Sequence, residues 1–335
     1  MNPKLLEILR EPSTFAELEL YPDQVEGDEV IEGRLVSKVS GKTYFIRDGI
    51  VRFVGMDGYT DSFGMQWNRF SKVQMDSANG ANYSRRRFES ESTWTNEELR
   101  GQWVLDAGCG CGRFAEIAAA KGANIIALDY SSAVDAARRN MKDRLPNTQY
   151  IQGDILDLPF APNTLPFIYS IGVLQHTPDP KQCILELLKR VALGGRFCLT
   201  IYPRKWTTLF FSKYLIRPVT KRMPKQLLLK LIELSMPVLF PLTEVLFRLP
   251  FGLGKIFQFM IPVANYVDKD QFTRQQRYDE AVLDTFDMLS PTYDRPMRQS
   301  ELCSALLESS IDEKDFRFPT DVICNVTGRK RLPNS

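Results

Sequence analysis

The chain has 335 residues, 44% hydrophobic and 25% charged, a balance that excludes a disordered or collagen-like polymer and fits one large or two modest globular domains. Its 43 Lys and Arg against 41 Asp and Glu leave a formal charge of +2, so there is no overall electrostatic pull toward nucleic acid and any charge argument must be local. Six cysteines without a CxxC pair suit a reducing compartment, and the start MNPKLLEILREPSTFAELE mixes charges through what would be the apolar part of a signal peptide; the expectation is a cytoplasmic protein.

Residues 1–54 read as a small β-rich unit. A short helical start at LLEILREP precedes alternating stretches at Arg34–Ser37 and Lys42–Ile46, and an Asp48-Gly49 turn leads into Ile50–Val54. Asp-Gly between alternating apolar runs is a hairpin signal. Residues 55–100 form a polar connector in which Phe63, Trp67 and Phe70 recur at helical spacing. Two readings stay open for it: a face packed on the next domain, or a lid over a cofactor with Trp67 as a wall. In the lid reading, an arginine of the Tyr83-Ser84-Arg85-Arg86-Arg87-Phe88 run is available for a carboxylate.

From Gln102 the pattern becomes α/β. Strands at Trp103–Leu105, Ile125–Leu128, Gln149–Gln152, Phe167–Ile171 and Arg196–Ile201 alternate with helices near 113–121, 132–144 and 180–190. Such alternation means parallel βαβ units, whose right-handed crossovers bring the strand C-termini, and hence ligands, to one edge. The first turn, Asp106-Ala107-Gly108-Cys109-Gly110-Cys111-Gly112, offers three positions where backbone can approach a ligand closely. Alone it also fits a nicotinamide or flavin fingerprint. Asp106 at the strand end argues against a pyrophosphate there and for a ligand carrying positive charge, such as S-adenosylmethionine. Asp129, after the second strand, is placed to accept from both ribose hydroxyls, and Asp154 to accept from an adenine amino group with Ile155 against the ring. Each acid also has a purely structural reading, as a helix cap or an Asx-turn.

VLDAGCGCGRF, IIALDYS, YIQGDILDLPF, FIYSIGVLQHTPDP and LGGRFCLTIYP together resemble the class I S-adenosylmethionine-dependent methyltransferases, specifically the type 11 domain that includes quinone-ring methyltransferases. The resemblance implies an α/β fold with a Rossmann-like seven-stranded, mostly parallel sheet, helices on both faces, and one antiparallel strand near its end. It also implies that Asp106, Gly108, Gly110 and Gly112 line the methionine half of the cofactor, Asp129 the ribose, and Asp154 with Ile155 the adenine; Tyr130 and Arg87 join these cofactor-binding candidates. Residues 1–54 in turn resemble the small zinc-ribbon-like domain that activates tRNA methyltransferases, in LLEIL and GKTYFIRDGIVRFV. Where zinc-holding members carry a CPxC-like pair this chain has Glu11-Pro12-Ser13-Thr14, so a metal-free relic is expected there.

Methyl transfer needs alignment and exclusion of water, and a hydroxyl or amine acceptor must also lose a proton. The one histidine, His176, follows the fourth strand and is the candidate base, its rival reading being a histidine that merely orders its own loop; Tyr202, Tyr266 and Tyr293 are alternative bases or aromatic walls. Trp67, Tyr202 and Tyr293 are the candidate acceptor contacts, with Asp287 a further one, and no metal site is expected. Residues 204–267 carry ten basic and two acidic residues, a local charge of +8 against −6 for the rest, among many Leu, Phe, Ile and Pro. The longest uncharged run there is too short and too Pro-broken to span a bilayer. It reads as a helical cap, a lid for a hydrophobic substrate, or an interfacial membrane surface.

The expected organisation is thus a unit at 1–54, a connector or lid at 55–100, a cofactor-binding core at 101–203 and 298–335, and a helical cap at 204–297. The expected function is methyl transfer from S-adenosylmethionine to a small-molecule acceptor that is sugar-, lipid- or quinone-like. The rivals are a tRNA or protein methyltransferase, a nicotinamide oxidoreductase, and a catalytically silent cofactor-binding scaffold.

Overall fold

Between Trp103 and Ile201 the chain repeatedly spends five to eleven residues on a Val-, Ile- and Leu-rich run and then turns on glycine or an acid, and these runs become the centre of one sheet. The computed structural model describes residues 1–55, 60–206, 208–269, 271–320 and 324–331. After a short 3-10 turn at Pro3–Glu7 come β1 (Leu18–Glu26), β2 (Glu29–Ser37), β3 (Thr43–Arg47) and β4 (Ile50–Arg52). Four helices follow: α1 (Asp61–Arg69), α2 (Asp76–Asn79), α3 (Tyr83–Ser92) and α4 (Asn96–Leu99). The α/β part comprises β5 (Trp103–Ala107), α5 (Ala115–Ala120), β6 (Asn124–Asp129), α6 (Ala133–Met141), β7 (Thr148–Gln152), β8 (Leu165–Ile171), α7 (Pro180–Arg190) and β9 (Val191–Ile201). Then α8 (Ser212–Thr220), α9 (Lys225–Leu246), α10 (Leu253–Met260) and α11 (Arg274–Leu289) form the cap, and α12 (Gln299–Glu308), β10 (Phe316–Arg317) and β11 (Cys324–Arg329) return to the sheet. The sequence also predicts a last strand over 322–327, which begins outside the described residues.

The sheet has eleven strands in the order β1-β2-β3-β4-β7-β6-β5-β8-β9-β11-β10, which corrects the expected seven. Seven of them, from β7 to β10 in that order, are the anticipated core, with β11 antiparallel to β9. The other four belong to the N-terminal segment, which is no separate unit: β4 pairs in parallel with β7, Ile50 opposite Tyr150, and so covers an edge that would otherwise expose unpaired backbone. β1 escaped the sequence reading because Pro22 interrupts it and only Leu18 is buried along its length; it is the outer strand, where a missing N–H is tolerated.

Two apolar layers sandwich the sheet. One face packs Leu105, Ile126 and Ile151 against α7, α12 and the N-terminal Leu5, Leu9 and Leu35. The other packs Val104, Ile125 and Tyr150 against α3, α5 and α6 through Phe88, Ile117 and Met141. A third core joins α9 to α11 through Ile232, Met236, Phe240 and Phe286, with Met65 and Phe70 of the connector packed on it. The connector is therefore shared: α1 packs on both α6 and the cap helix α11, with Trp67 on the sheet side and Met65 on the cap side, whereas Phe88 of α3 and Trp94 belong to the sheet. Helix boundaries follow local chemistry, as in α7, where the Asp179 carboxylate accepts from Gln182 N–H and Pro180 occupies the first turn. No described helix is long and apolar enough to cross a membrane.

Candidate active site

The C-terminal ends of β5 to β8 and the inner side of the cap enclose a cavity of about 600 Å³. The first turn reaches it through positive-φ glycines. Gly108 has φ +89°, and a Cβ there would stand 2.4 Å from Val173 Cγ1, so no other residue fits without displacing the loop after β8. Gly110 approaches the Trp67 indole, which places Trp67 over the glycine turn on the cavity wall. Gly112 corrects the expectation: it does not line the cavity, and its bare Cα at φ +90° instead admits Met141 of α6, whose Cε would lie 2.5 Å from a Cβ.

Asp106 is likewise not on the cavity wall. Alternation along β5 turns it to the same face as Val104, into the layer of Phe88 and Tyr169. Burial raises its pKa to about 8, despite the Tyr169 hydroxyl and the Ala115 N–H, with Asp129 adding to the rise; Oδ2 has no hydrogen-bond partner. It is a protonated acid near neutral pH rather than a counter-charge for an ammonium. The flanking thiols are inert by the same cause, burial pushing Cys109 up and Cys111 to about 12.

Asp129 lies at the cavity. Its Oδ2 accepts from Gly110 N–H at 2.9 Å, and its Oδ1 accepts from Ser131 N–H at 2.9 Å and Ser131 Oγ at 2.7 Å. Burial raises its pKa against these neutral donors. A carboxylate has about four acceptor positions, so capacity for further donors remains. Tyr130 stands beside it, its carbonyl accepting from Gln152 Nε2 at 3.1 Å. Asp154 accepts from Leu156 N–H through Oδ1 at 2.9 Å and lines the cavity with Ile155, so it both caps its turn and faces the site.

Arg87 reaches the cavity with its Nε donating to Glu91 at 2.7 Å, and Glu91 accepts from Thr200 Oγ1 at 2.6 Å. A second arginine on the cavity wall is Arg113, the first residue after the glycine turn. Its guanidinium lies 4.5 Å from the Phe114 ring centroid, it donates to Gln74, and its buried Nε and Nη2 have no partner. Burial, with Arg87 nearby, lowers its pKa.

His176 is buried in the loop after β8, between Phe63 at 5.1 Å and the edge of Tyr202 at 5.7 Å. Its Nδ1 is 3.1 Å from the Tyr293 carbonyl. A carbonyl only accepts, so Nδ1 donates to it, and in the neutral ring Nε2 is the bare acceptor; Nε2 is buried without a partner among the described residues. Tyr293 thus serves through its main chain, and its ring, covered by Arg295 at 5.2 Å, does not line the cavity, which corrects its place among the acceptor contacts. Tyr202 and Tyr266 do line it, and burial drives both hydroxyls up, which removes them as bases near neutral pH.

The cap side is acidic. Asp284 is pushed by burial, and by Glu280 and Asp287, to about 7, and it accepts from Gln74 Nε2 at 3.0 Å. Burial also raises Asp287, which Gln66 Nε2 meets at 3.5 Å. Glu280 is paired with Lys269 at 2.7 Å. At Asp294 burial is outweighed by Lys213, at 2.8 Å, with His176 and Arg217 further away, and the carboxyl is held below its usual range. Among the described residues no group of three or more His, Cys, Asp or Glu is arranged to hold a metal ion.

Comparison with known proteins agrees with the part of the chain that builds the glycine turn and the acid loops. Residues 105–199 match the family described as a methyltransferase domain. Over 113 residues the chain is 32% identical to the chloroplastic 2-methyl-6-phytyl-1,4-hydroquinone methyltransferase of Arabidopsis thaliana, a match covering 32% of this chain and 33% of that one. It is 30% identical over 113 residues to the 2-phytyl-1,4-naphtoquinone methyltransferase of Thermosynechococcus vestitus, covering 32% of this chain and 50% of that one. Among solved structures, an S-adenosylmethionine dependent methyltransferase from Mesorhizobium loti aligns with TM-score 0.29 and 24% identity over 34% of this chain and 51% of that one. The chain spans between a third and a half of the length of these curated relatives.

Proposed function

We propose that the protein is an S-adenosylmethionine-dependent methyltransferase acting on a small-molecule acceptor held under the cap. The observation that carries this reading is Asp129, a half-buried carboxylate tied by Gly110 N–H to the glycine turn and facing the cavity with acceptor capacity unused. The residues fit the cofactor. Asp129 would hold the ribose diol, Asp154 and Ile155 the adenine, the turn at Gly108 and Gly110 the methionine backbone, and the unpaired donors of Arg113 its carboxylate. When bound, the cofactor supplies a methyl group made electrophilic by its sulfonium.

The chain's own part is positioning, drying and proton removal. The cap excludes water, and the aromatic rings of Phe63, Trp67 and Tyr202 restrict the acceptor's orientation. Nε2 of His176, its tautomer set by the Tyr293 carbonyl, takes the proton of a hydroxyl or amine acceptor. Gln66, Gln74 and the buried carboxyls of Asp284 and Asp287 suit hydroxyl-bearing acceptors, which hydroquinone-acting relatives also use. The cavity under the cap favours a small acceptor over a tRNA or protein chain. Six cysteines present as free thiols support a cytoplasmic setting.

Calorimetric titration with S-adenosylmethionine, S-adenosylhomocysteine and NADH tests the reading. Both sulfur compounds bind and NADH does not, and Asp129→Ala weakens the two by about tenfold or more for each hydrogen bond lost. Binding of NADH alone, or equal binding by the variant, overturns the assignment.

A further inference from the structure

Of the twenty-two large apolar side chains that are exposed among the described residues, fifteen lie between Trp206 and Met260. They follow helical geometry. On α9, Leu227, Leu231, Leu234, Val238, Leu242 and Val245 recur at intervals of three or four and form one stripe, while Leu228, Ile232, Met236 and Phe240 bury the opposite face on α11. A 22-residue helix is about 33 Å long, so the stripe is as long as a small domain is wide. α8 and α10 add Leu215, Val219, Ile256 and Met260, and Phe251, 98% exposed, projects from the turn before α10. The elements are linked: α10 packs on α9, and Phe211 before α8 meets Phe259 of α10 at 5.4 Å. Soluble monomers rarely leave so much contiguous apolar surface bare.

The charge on these elements has one sign. Lys205, Lys221, Arg222, Lys230 and Lys255 are exposed and make no ion pair among the described residues. The two acids of the segment are both spent: Glu233 on Arg69, and Glu244 on Arg248, Arg274 and Arg277. A second copy of the same face would set unpaired cations against unpaired cations. An anionic lipid surface matches both properties, taking the apolar stripe into its headgroup region and pairing the lysines with phosphates.

We infer that the outer face of α8, α9 and α10 is a docking surface for an anionic bilayer, on which the protein sits peripherally without a spanning helix. Docking is independent of the methyl-transfer reading. Its consequence for the acceptor rests on that reading: Phe211, Tyr214 and Phe259 line the cavity while their neighbours Phe210, Leu215 and Met260 face outward, so the acceptor is an amphiphile taken up at the lipid surface.

The test is sedimentation of the full chain with vesicles of phosphatidylcholine alone and of phosphatidylcholine mixed with phosphatidylglycerol, together with light scattering of the free protein. The protein sediments with the anionic vesicles and is released by salt. The triple substitution Leu231→Ser, Leu234→Ser, Val238→Ser abolishes sedimentation, at roughly tenfold per side chain, with an unchanged melting temperature because all three are solvent-facing. The pair Lys230→Gln and Lys255→Gln weakens it about fivefold per cation. Three results overturn the proposal: no sedimentation with either vesicle, sedimentation that the triple variant retains, or vesicle-independent self-association that the triple variant abolishes. Because no turnover is read, failure here is distinct from failure of cofactor binding.

Discussion

Asp106 is buried, an effect that outweighs the nearby Arg113, and keeps its proton up to about pH 8, so the folded chain binds more protons than the unfolded one throughout the interval above the ordinary carboxyl pKa. A pKa raised on folding contributes stability that is complete below the unfolded value and is lost as pH rises through the folded one. Each such group therefore removes about 1.4 kcal/mol of stability per pH unit between roughly pH 4 and its own value, and Asp284, at about 7, adds to the slope. The ligand-free protein is expected to be more stable toward urea in mildly acidic than in mildly alkaline buffer, and Asp106→Asn to flatten that dependence; a wild-type urea midpoint that climbs with pH would show the carboxyl to be charged. His176 allows a second residue-level test. His176→Asn keeps a donor for the Tyr293 carbonyl but removes Nε2, so kcat is expected to fall about 10²- to 10⁴-fold with S-adenosylhomocysteine affinity unchanged. A purely loop-ordering histidine would leave kcat nearly intact in this variant.

Which parts of the site were readable along the chain follows from the elements that carry them. Gly108 directly follows β5, Asp129 is the last residue of β6 and Asp154 lies two residues past β7, so spacing from an apolar run placed them at the sheet's C-terminal edge without any tertiary information. The same spacing misplaced Asp106, which is inside its strand, where alternation and not proximity to the edge decides its direction. Tyr293 failed for a related reason: a loop residue can contribute its carbonyl as readily as its ring, and composition does not distinguish them. The cap half was illegible because its contacts are remote. Gln66 meets Asp287, and Gln74 meets Asp284, across more than 200 residues of chain, and neither half of either pair carries a local signature. Arg113 had such a signature, its position immediately after the glycine turn, where a cation reaches a bound carboxylate. In the cap, the apolar composition of α9 was plain, but only the packing of α11 against one side shows that the other is bare.

At the scale of the whole molecule, the N-terminal segment is the largest departure from the expected organisation. Beyond a relic that merely packs on the core or caps the substrate, residues 1–54 are built into the sheet and its core. β4 supplies the parallel partner of β7, and Arg52 reaches across to Asp135 of α6 at 2.7 Å and to Gln152 of β7 at 2.7 Å. Leu9 bridges to Phe160, and Arg138 of α6, nearly fully buried, pairs with Glu29 at 2.7 Å. Glu11 accepts from Thr14, Ser37 and Ser40, and these bonds outweigh burial and hold its carboxyl below the usual range. Deleting residues 1–54 would bare the β7 edge and uncover Leu158 and Phe160, each worth about 1.5–3 kcal/mol of burial, in a sheet whose remaining strands would be left with an unguarded parallel edge. The shortened chain is expected to aggregate on expression and to fail to bind S-adenosylhomocysteine, while Arg138→Ala in the full chain lowers the melting temperature of the whole protein in one transition. A soluble, monodisperse 55–335 fragment that binds the cofactor product with wild-type affinity would return the segment to the status of an appendage.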